Sequence, residues 1–313
     1  MLQEPGHCQL SDQSVPPPVF LLAPARSCST VALALLAGHP DIYGFPEMLL
    51  FTADTIAELI ADQPPPPWAR SRPAWVIRYR RSGILRAVAD LLEGSQDSPA
   101  IVRARRWLNE RSTWSPMRLM NHLLALARPR IGLEKSPETV ASDRALDACL
   151  RNYPGARYIH LTRHPVATQR SMQQHWRSFY PSQKALIAAA ASSWYLGHSR
   201  IARKLAQLPA DQWIRVRAED VVGAPEVWLP RILDWLELPS GRHLISQMTH
   251  TENWRFAGTG SSGDLFGGDP KFMRSPVLRP LPDPGGLCFE ESWALPDEMC
   301  DRMQTLASFL GYS

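Results

Sequence analysis

Six consecutive residues, Ala25-Arg26-Ser27-Cys28-Ser29-Thr30, separate an apolar run at 19–23 from a helical pattern carried by Val31, Leu33, Leu35 and Leu36. A strand-to-helix junction of this kind aims unpaired backbone N–H groups at whatever lies above it, and small residues let an anion approach them. Ser27, Ser29 and Thr30 add hydroxyls. Arg26 adds a permanent charge on a forked set of donors. The same residues also fit a plainer reading, with Ser27 as a helix cap and Arg26 as a surface charge. A second candidate anion site lies further along, where Arg163 ends an apolar stretch at 158–161 and Ser171 follows on the helix that Pro165 opens. Two helical turns bring Ser171 back toward Arg163, so both can face one group. Two anion sites on neighbouring strands suit a nucleotide with two phosphate-like groups.

Acid–base candidates are fewer. Glu47 sits in FPEMLLF, where a carboxylate interrupts an apolar run. It follows the first helix by a short return that could carry it back over the loop. His39, His122, His160, His164 and His175 could also move protons, and His122 leads them because it falls in the segment expected over the acceptor side. The cysteines at 8, 28, 149, 288 and 300 are scattered, and no group of residues has metal-ligand spacing. No metal is expected.

The elements that must position these residues read as α/β. The run at 19–23 is buried on both faces, as in a parallel sheet. A second strand–loop–helix unit spans 157–176, and a long alanine-rich helix covers 184–208. A short strand at 213–216 and a helix at 227–236 follow. Alternating strands and helices predict a three-layer, P-loop-like sandwich around a mostly parallel central sheet. Open sheets of this kind take ligands at the carboxyl ends of their strands. Residues 1–18 read as a loose leader and 19–313 as one domain. Within it, 52–130 is a helical insertion over the acceptor side, interrupted by four prolines at 64–67. The stretch 251–287 reads as a long ordered loop.

Composition narrows the partners. The 313 residues are 44% hydrophobic, enough for a substantial core, and the net charge of +4 is too mild for a nucleic-acid binder. The 29 prolines, about twice the usual share, argue for stiffened loops. No apolar run is long enough to span a bilayer, and no secretory signal is evident. With widely spaced cysteines, a cytoplasmic setting is expected.

Taken in order, these segments resemble the sulfotransferases that use 3′-phosphoadenosine-5′-phosphosulfate (PAPS). In that family the first loop typically reads Pro-Arg-Ser-Gly-Thr-Thr and binds the 5′-phosphosulfate, while an Arg and a Ser eight residues apart hold the 3′-phosphate. GLEKSPET at 132–139 resembles the family's Lys-Thr-Pro segment. The resemblance implies PAPS as donor, PAP as product and no metal. It implies nucleotide binding by Arg26, Ser27, Cys28, Ser29, Thr30, Arg163, Ser171 and Lys271. Glu47 would be the base, with His122 as the substitute, and Lys135 would meet the leaving oxygen with help from Arg26.

AGHPDIYGFPEMLLF and GGDPKF (267–272) look most like the sulfotransferase domains of polyketide assembly lines, which act on hydroxyacyl chains tethered to an acyl carrier protein. The acceptor is then a hydroxyl on an apolar or acyl chain, in a natural-product pathway. Trp68, Trp75, Trp107 and Trp114 could line its pocket, and the arginine-rich run at 103–118 could meet an acidic carrier.

Three features depart from the family. Cys28 replaces a glycine, and a side chain there should resist a conformation that only glycine adopts easily. Ala218 replaces an aromatic residue, and Ser261 and Ser262 stand where a histidine is expected. A P-loop kinase is the competing reading, although the loop lacks a Gly-Lys-Ser/Thr ending. An inactive module that binds PAPS is another.

Overall fold

The computed structural model describes residues 14–61, 74–261, 263 and 265–313, with side chains from 81 onward in the helix that opens at Ala74. The start of the leader, the four prolines at 64–67, Trp68, the Trp75 side chain and Ser262 lie outside the described residues.

Five strands, β1 (Val19–Leu22), β2 (Ile42–Gly44), β3 (Ile131–Glu134), β4 (Arg157–Thr162) and β5 (Trp213–Arg217), form one sheet in the order β2-β3-β1-β4-β5. Every described pairing is parallel. β1 is the central strand, and all four of its residues are buried. Phe20 packs its ring against Phe51, Tyr153 and Tyr158. Complete burial of one such side chain stabilises the fold by ~1.5–3 kcal/mol.

The chain order fixes the layers. From β1 it moves past β3 to reach β2, and later it moves the other way from β3 to β4 to β5. Right-handed crossovers in opposite directions put α1 (Ser29–Leu36) on one face and α6 (Asp143–Asn152), α7 (Pro165–Trp176) and α8 (Gln183–Leu205) on the other. The α1 side is completed by α9 (Ala218–Gly223), α10 (Pro225–Trp235) and α11 (Arg242–Met248). At the far end of the chain, α13 (Asp297–Phe309) packs on α8.

Between β2 and β3 run α2 (Ile56–Ile60), α3 (Ala74–Glu93), α4 (Ser98–Glu110) and α5 (Pro116–Ala127). Their limits follow local chemistry. The side chains of Thr55, Asp97 and Ser115 cap α2, α4 and α5, and Pro116 begins α5, where its missing N–H costs nothing. The described residues of 251–287 are mostly irregular, with a 3-10 turn at Thr251–Asn253 and a short helix, α12 (Pro270–Arg274), capped by Asp269.

Candidate active site

The strand order reverses at β1, between β3 and β4, so the exits of these three strands converge above one point. That switch point is where open α/β sheets take ligands. β1 delivers the loop at 23–28, β3 delivers Lys135, and β4 delivers Arg163.

The first loop is strained. Arg26 and Cys28 both have left-handed backbones, with φ of 66° and 58°. Each costs a non-glycine residue ~1–2 kcal/mol. Cys28 thus takes the conformation that its side chain was expected to resist. It is the N-cap of α1, yet it makes no side-chain cap. Ser27 is no cap either: it is 0% exposed, and among the described residues its Oγ has no hydrogen-bond partner. A buried hydroxyl without a partner is costly, so a ligand atom is its natural complement.

The two anion sites are one structure. Arg26 Nε donates to Ser171 Oγ at 3.1 Å, and Arg163 Nη1 donates to the Arg26 carbonyl at 2.6 Å. Ser171 therefore serves the Arg26 side chain directly instead of standing beside Arg163 alone. Arg163 Nε is buried and has no partner among the described residues. Behind it, Trp194 Nε1 donates to the Arg163 carbonyl at 2.8 Å. Glu219 accepts the His164 N–H at 2.9 Å and the Tyr312 hydroxyl at 3.1 Å, which fixes the exit of β4.

Lys135 and Glu47 form a buried ion pair, with side chains 2% and 7% exposed. Lys135 Nζ also donates to Thr30 Oγ1 at 2.9 Å. Glu47 is gripped through its backbone: its N–H donates to the Gly267 carbonyl at 2.8 Å. On the other side α3 approaches so closely that a Cβ on Gly83 would lie 1.8 Å from the Glu47 carbonyl oxygen.

Asp269 joins the two halves. Its carboxylate meets Arg26 Nη1 at 2.7 Å, and its N–H donates to Thr30 Oγ1 at 3.0 Å. Burial alone would raise the Asp269 carboxyl, but Arg26 beside it holds it below the usual range. The neighbouring Gly268 has to be glycine, because a Cβ there would come within 2.9 Å of the Thr30 methyl. Asp269, Gly83 and Glu219 escaped the sequence reading. The sequence did flag GGDPKF, but gave no sign that Asp269 closes on Arg26.

Other expected residues stand apart. Lys271 is exposed on α12, where its backbone N–H donates to Asp269 Oδ1 at 2.9 Å. His122 stacks on Trp107 and meets Trp114 edge-on, with Arg111 over the Trp107 ring. Burial, and then the Arg111 charge, hold its imidazole low. This cluster is built from α4, α5 and the link between them. Trp107 and Trp114 pack on each other within it. Ser261 is exposed, with its hydroxyl 3.2 Å from that of Ser98. Ala218 is buried at the start of α9. Among the described residues no group of His, Cys, Asp and Glu could hold a metal, and no helix is long and apolar enough to cross a membrane.

The assembled groups can hold an anion and move a proton. Arg26, Arg163, Ser27, Ser171 and the first amides of α1 make an electropositive cradle. Beside it, a carboxylate is held against an ammonium.

A search of curated proteins finds no match. The sulfotransferase domain from the curacin biosynthetic pathway is similar in structure, with a TM-score of 0.72 at 20% identity over 95% of this chain and 98% of that one. The sulfotransferase domain from the Synechococcus PCC 7002 olefin synthase is similar too, with a TM-score of 0.70 at 24% identity over 100% and 99%. At these identities the likeness speaks for the fold. The sequence itself matches the model of the sulfotransferase family across residues 17–241, a span that holds the loop, Glu47, Lys135, Arg163 and Ser171, and the chain belongs to that family.

Proposed function

We propose that the protein transfers a sulfuryl group from PAPS to a hydroxyl on an apolar or acyl acceptor, working in the cytoplasm and without a metal. The observation that carries this reading is the joined cradle: Arg26 donates to Ser171 and its carbonyl accepts from Arg163, and the next residue, Ser27, has a buried hydroxyl with no partner among the described residues. This donor set fits a nucleotide with separate 5′ and 3′ anionic groups. Ser27 Oγ and Arg163 Nε, which have no partner among the described residues, are the donors such a ligand would use.

PAPS, when bound, supplies an activated sulfuryl group on a mixed phosphate–sulfate anhydride. The chain's own residues do the rest. Ser27 and the first amides of α1 would hold the 5′ side, with Arg26 offsetting its charge. Arg163 and Ser171 would hold the 3′-phosphate. Glu47 would take the proton from the acceptor hydroxyl as its oxygen attacks. Lys135, already against Glu47 and Thr30, would offset the negative charge that develops on the leaving side.

The acceptor class comes from the segments that resemble assembly-line domains, and from similarity to the curacin-pathway and olefin synthase domains. A hydroxyacyl group on the phosphopantetheine arm of an acyl carrier protein fits both. Arg105 and Arg106 are exposed on α4 and available to an acidic carrier. The test compares a hydroxyacyl carrier protein with a small free alcohol. Glu47→Gln should keep PAP affinity and lower turnover by ~10²-fold or more on either acceptor. Reversing Arg105 and Arg106 to Glu should slow transfer to the carrier far more than to the alcohol, in a salt-dependent way. Unchanged turnover in Glu47→Gln removes it as base, and equal effects of the reversal on both acceptors remove the carrier.

A further inference from the structure

A second carboxyl group is buried next to this site and has no part in the chemistry above. Glu134, the last residue of β3, is 1% exposed. The Ser136 hydroxyl donates to its Oε1, and the Met48 backbone N–H reaches the same oxygen at 3.4 Å. The Ser136 oxygen in turn accepts the Leu49 N–H at 2.9 Å. Two side chains at the exit of β3 thus hold the two successive amides that follow Glu47. The spot they hold is strained, because Leu49 has a left-handed backbone with φ of 58°. Such a conformation persists only where its surroundings over-determine it.

A buried carboxyl group is an expensive way to fill space, since an apolar side chain would pack there without a desolvation cost. Its partners suggest what it does. They belong to the short segment that carries Glu47, and Lys135, the partner of Glu47, is the next residue in the chain.

We propose that Glu134 and Ser136 form a clasp that sets the Glu47 carboxylate against Lys135. Both are positioning residues that act through the backbone of Met48 and Leu49 without touching substrate. The proposal rests on the reading of Glu47 as the base. Its electrostatics are simple. Burial raises the Glu134 carboxyl to about 7, against the Ser136 and Met48 hydrogen bonds and the Lys135 charge, and the Glu47 charge adds to the rise. From α6 and its end, Cys149 and Tyr153 also face Glu134, and burial raises both, so they stay neutral. Lys135 and Glu47 are then the charged groups in play. As Glu134 ionises, a second carboxylate competes with Glu47 for one ammonium.

The test uses Glu134→Gln, Glu134→Leu, Ser136→Ala and Glu47→Gln in the full chain, with PAPS and a hydroxyacyl carrier protein. PAP affinity and amide exchange at residues 48 and 49 are followed alongside. Ser136→Ala and Glu134→Leu should lower kcat by ~10-fold or more, since small displacements of a reacting group are costly. PAP affinity should stay within about twofold of wild type, because the nucleotide cradle is untouched. Amide exchange at Leu49 should speed up in Ser136→Ala. Glu134→Gln keeps the acceptor oxygen, so it should keep most of kcat but lose an ionisation near pH 7 from the rate profile. In a Glu47→Gln background, Ser136→Ala should cost nothing further in kcat, because the group it positions is gone.

The clasp is overturned if Glu47→Gln is slow while Ser136→Ala and Glu134→Leu keep wild-type kcat. Unchanged exchange at Leu49 in Ser136→Ala overturns it as well, and needs no acceptor. A fall in PAP affinity that matches the fall in kcat would mark a merely structural role. If Glu47→Gln itself keeps full turnover, the reading of Glu47 fails, and the exchange result still says whether the clasp exists. Should Glu134→Leu fail to fold, Ser136→Ala and Glu134→Gln decide the matter.

Discussion

Removing one member of the Lys135–Glu47 pair should be expensive, and removing both should be cheaper than the sum. The two side chains are 2% and 7% exposed, so neither charge could turn to water for compensation. Breaking a buried pair by deleting one partner typically costs about 3–5 kcal/mol. Lys135→Met keeps the length of the side chain, takes the ammonium away from the buried Glu47 carboxylate and removes a hydrogen bond to Thr30 worth about 1 kcal/mol. It should fall near the top of that range. Glu47→Gln strands the ammonium, but the Glu134 carboxyl lies close by and is raised in part by Glu47 itself, so it can ionise in compensation. This variant should cost about 2–3 kcal/mol, below the usual range for a buried pair. The double variant removes both charges together, and the coupling energy should reach about 2 kcal/mol or more. Urea unfolding of the four proteins measures these quantities, and transfer assays should find the double variant stable yet inactive. Strict additivity, or single losses below ~1 kcal/mol, would mean that the pair behaves as a solvated surface bridge. The account of the site as a dry, charge-paired centre would then be wrong.

Three further predictions use the same geometry. Arg163→Ala and Ser171→Ala should each weaken PAP binding by ~1.5–3 kcal/mol and shrink the preference for PAP over 5′-AMP, as competition binding would reveal. Gly83→Ala would stabilise an ordinary helix by about 1 kcal/mol, but here the added Cβ falls 1.8 Å from the Glu47 carbonyl. Denaturation should find the variant destabilised, and its turnover should drop more than its PAP affinity. Burial raises Glu134 from 4.5 in the unfolded chain to about 7, so its contribution to stability is complete below pH 4.5 and is lost as pH rises through 7. That loss is about 3 kcal/mol, and Glu134→Gln should flatten the corresponding fall in a pH series of unfolding measurements.

Much of this was legible in the sequence where a signal is local. β1 and β4 announce themselves as apolar runs, and the residues proposed to bind the anions follow them within two turns of helix. β2 and β3 left no comparable mark. Three residues, IYG, and four, IGLE, are too short to show a period, and GLEKSPET was noticed for its lysine while its strand was not. Contacts between distant segments were beyond reach. Asp269 meets Thr30 across 239 positions, and Gly83 is needed only because the Glu47 backbone arrives against α3. Cys28 is instructive in the other direction. A side chain was expected to oppose the left-handed turn, and the loop makes the turn regardless, since β1 and α1 fix its two ends. His122 is suited to acid–base work by its place in the chain, and its packing against Trp107 and Trp114 could not be read from that place.

The most direct test of the central claim is a calorimetric titration of the wild-type protein with PAP, with 5′-AMP and ATP as comparisons and no metal present. The joined cradle predicts saturable binding of PAP at one site, with 5′-AMP weaker by roughly 10-fold or more for want of the 3′-phosphate contacts and ATP no better than 5′-AMP. Equal affinities for PAP and 5′-AMP, or a preference for ATP, would contradict the assignment of Arg26, Arg163 and Ser171 to a PAPS site.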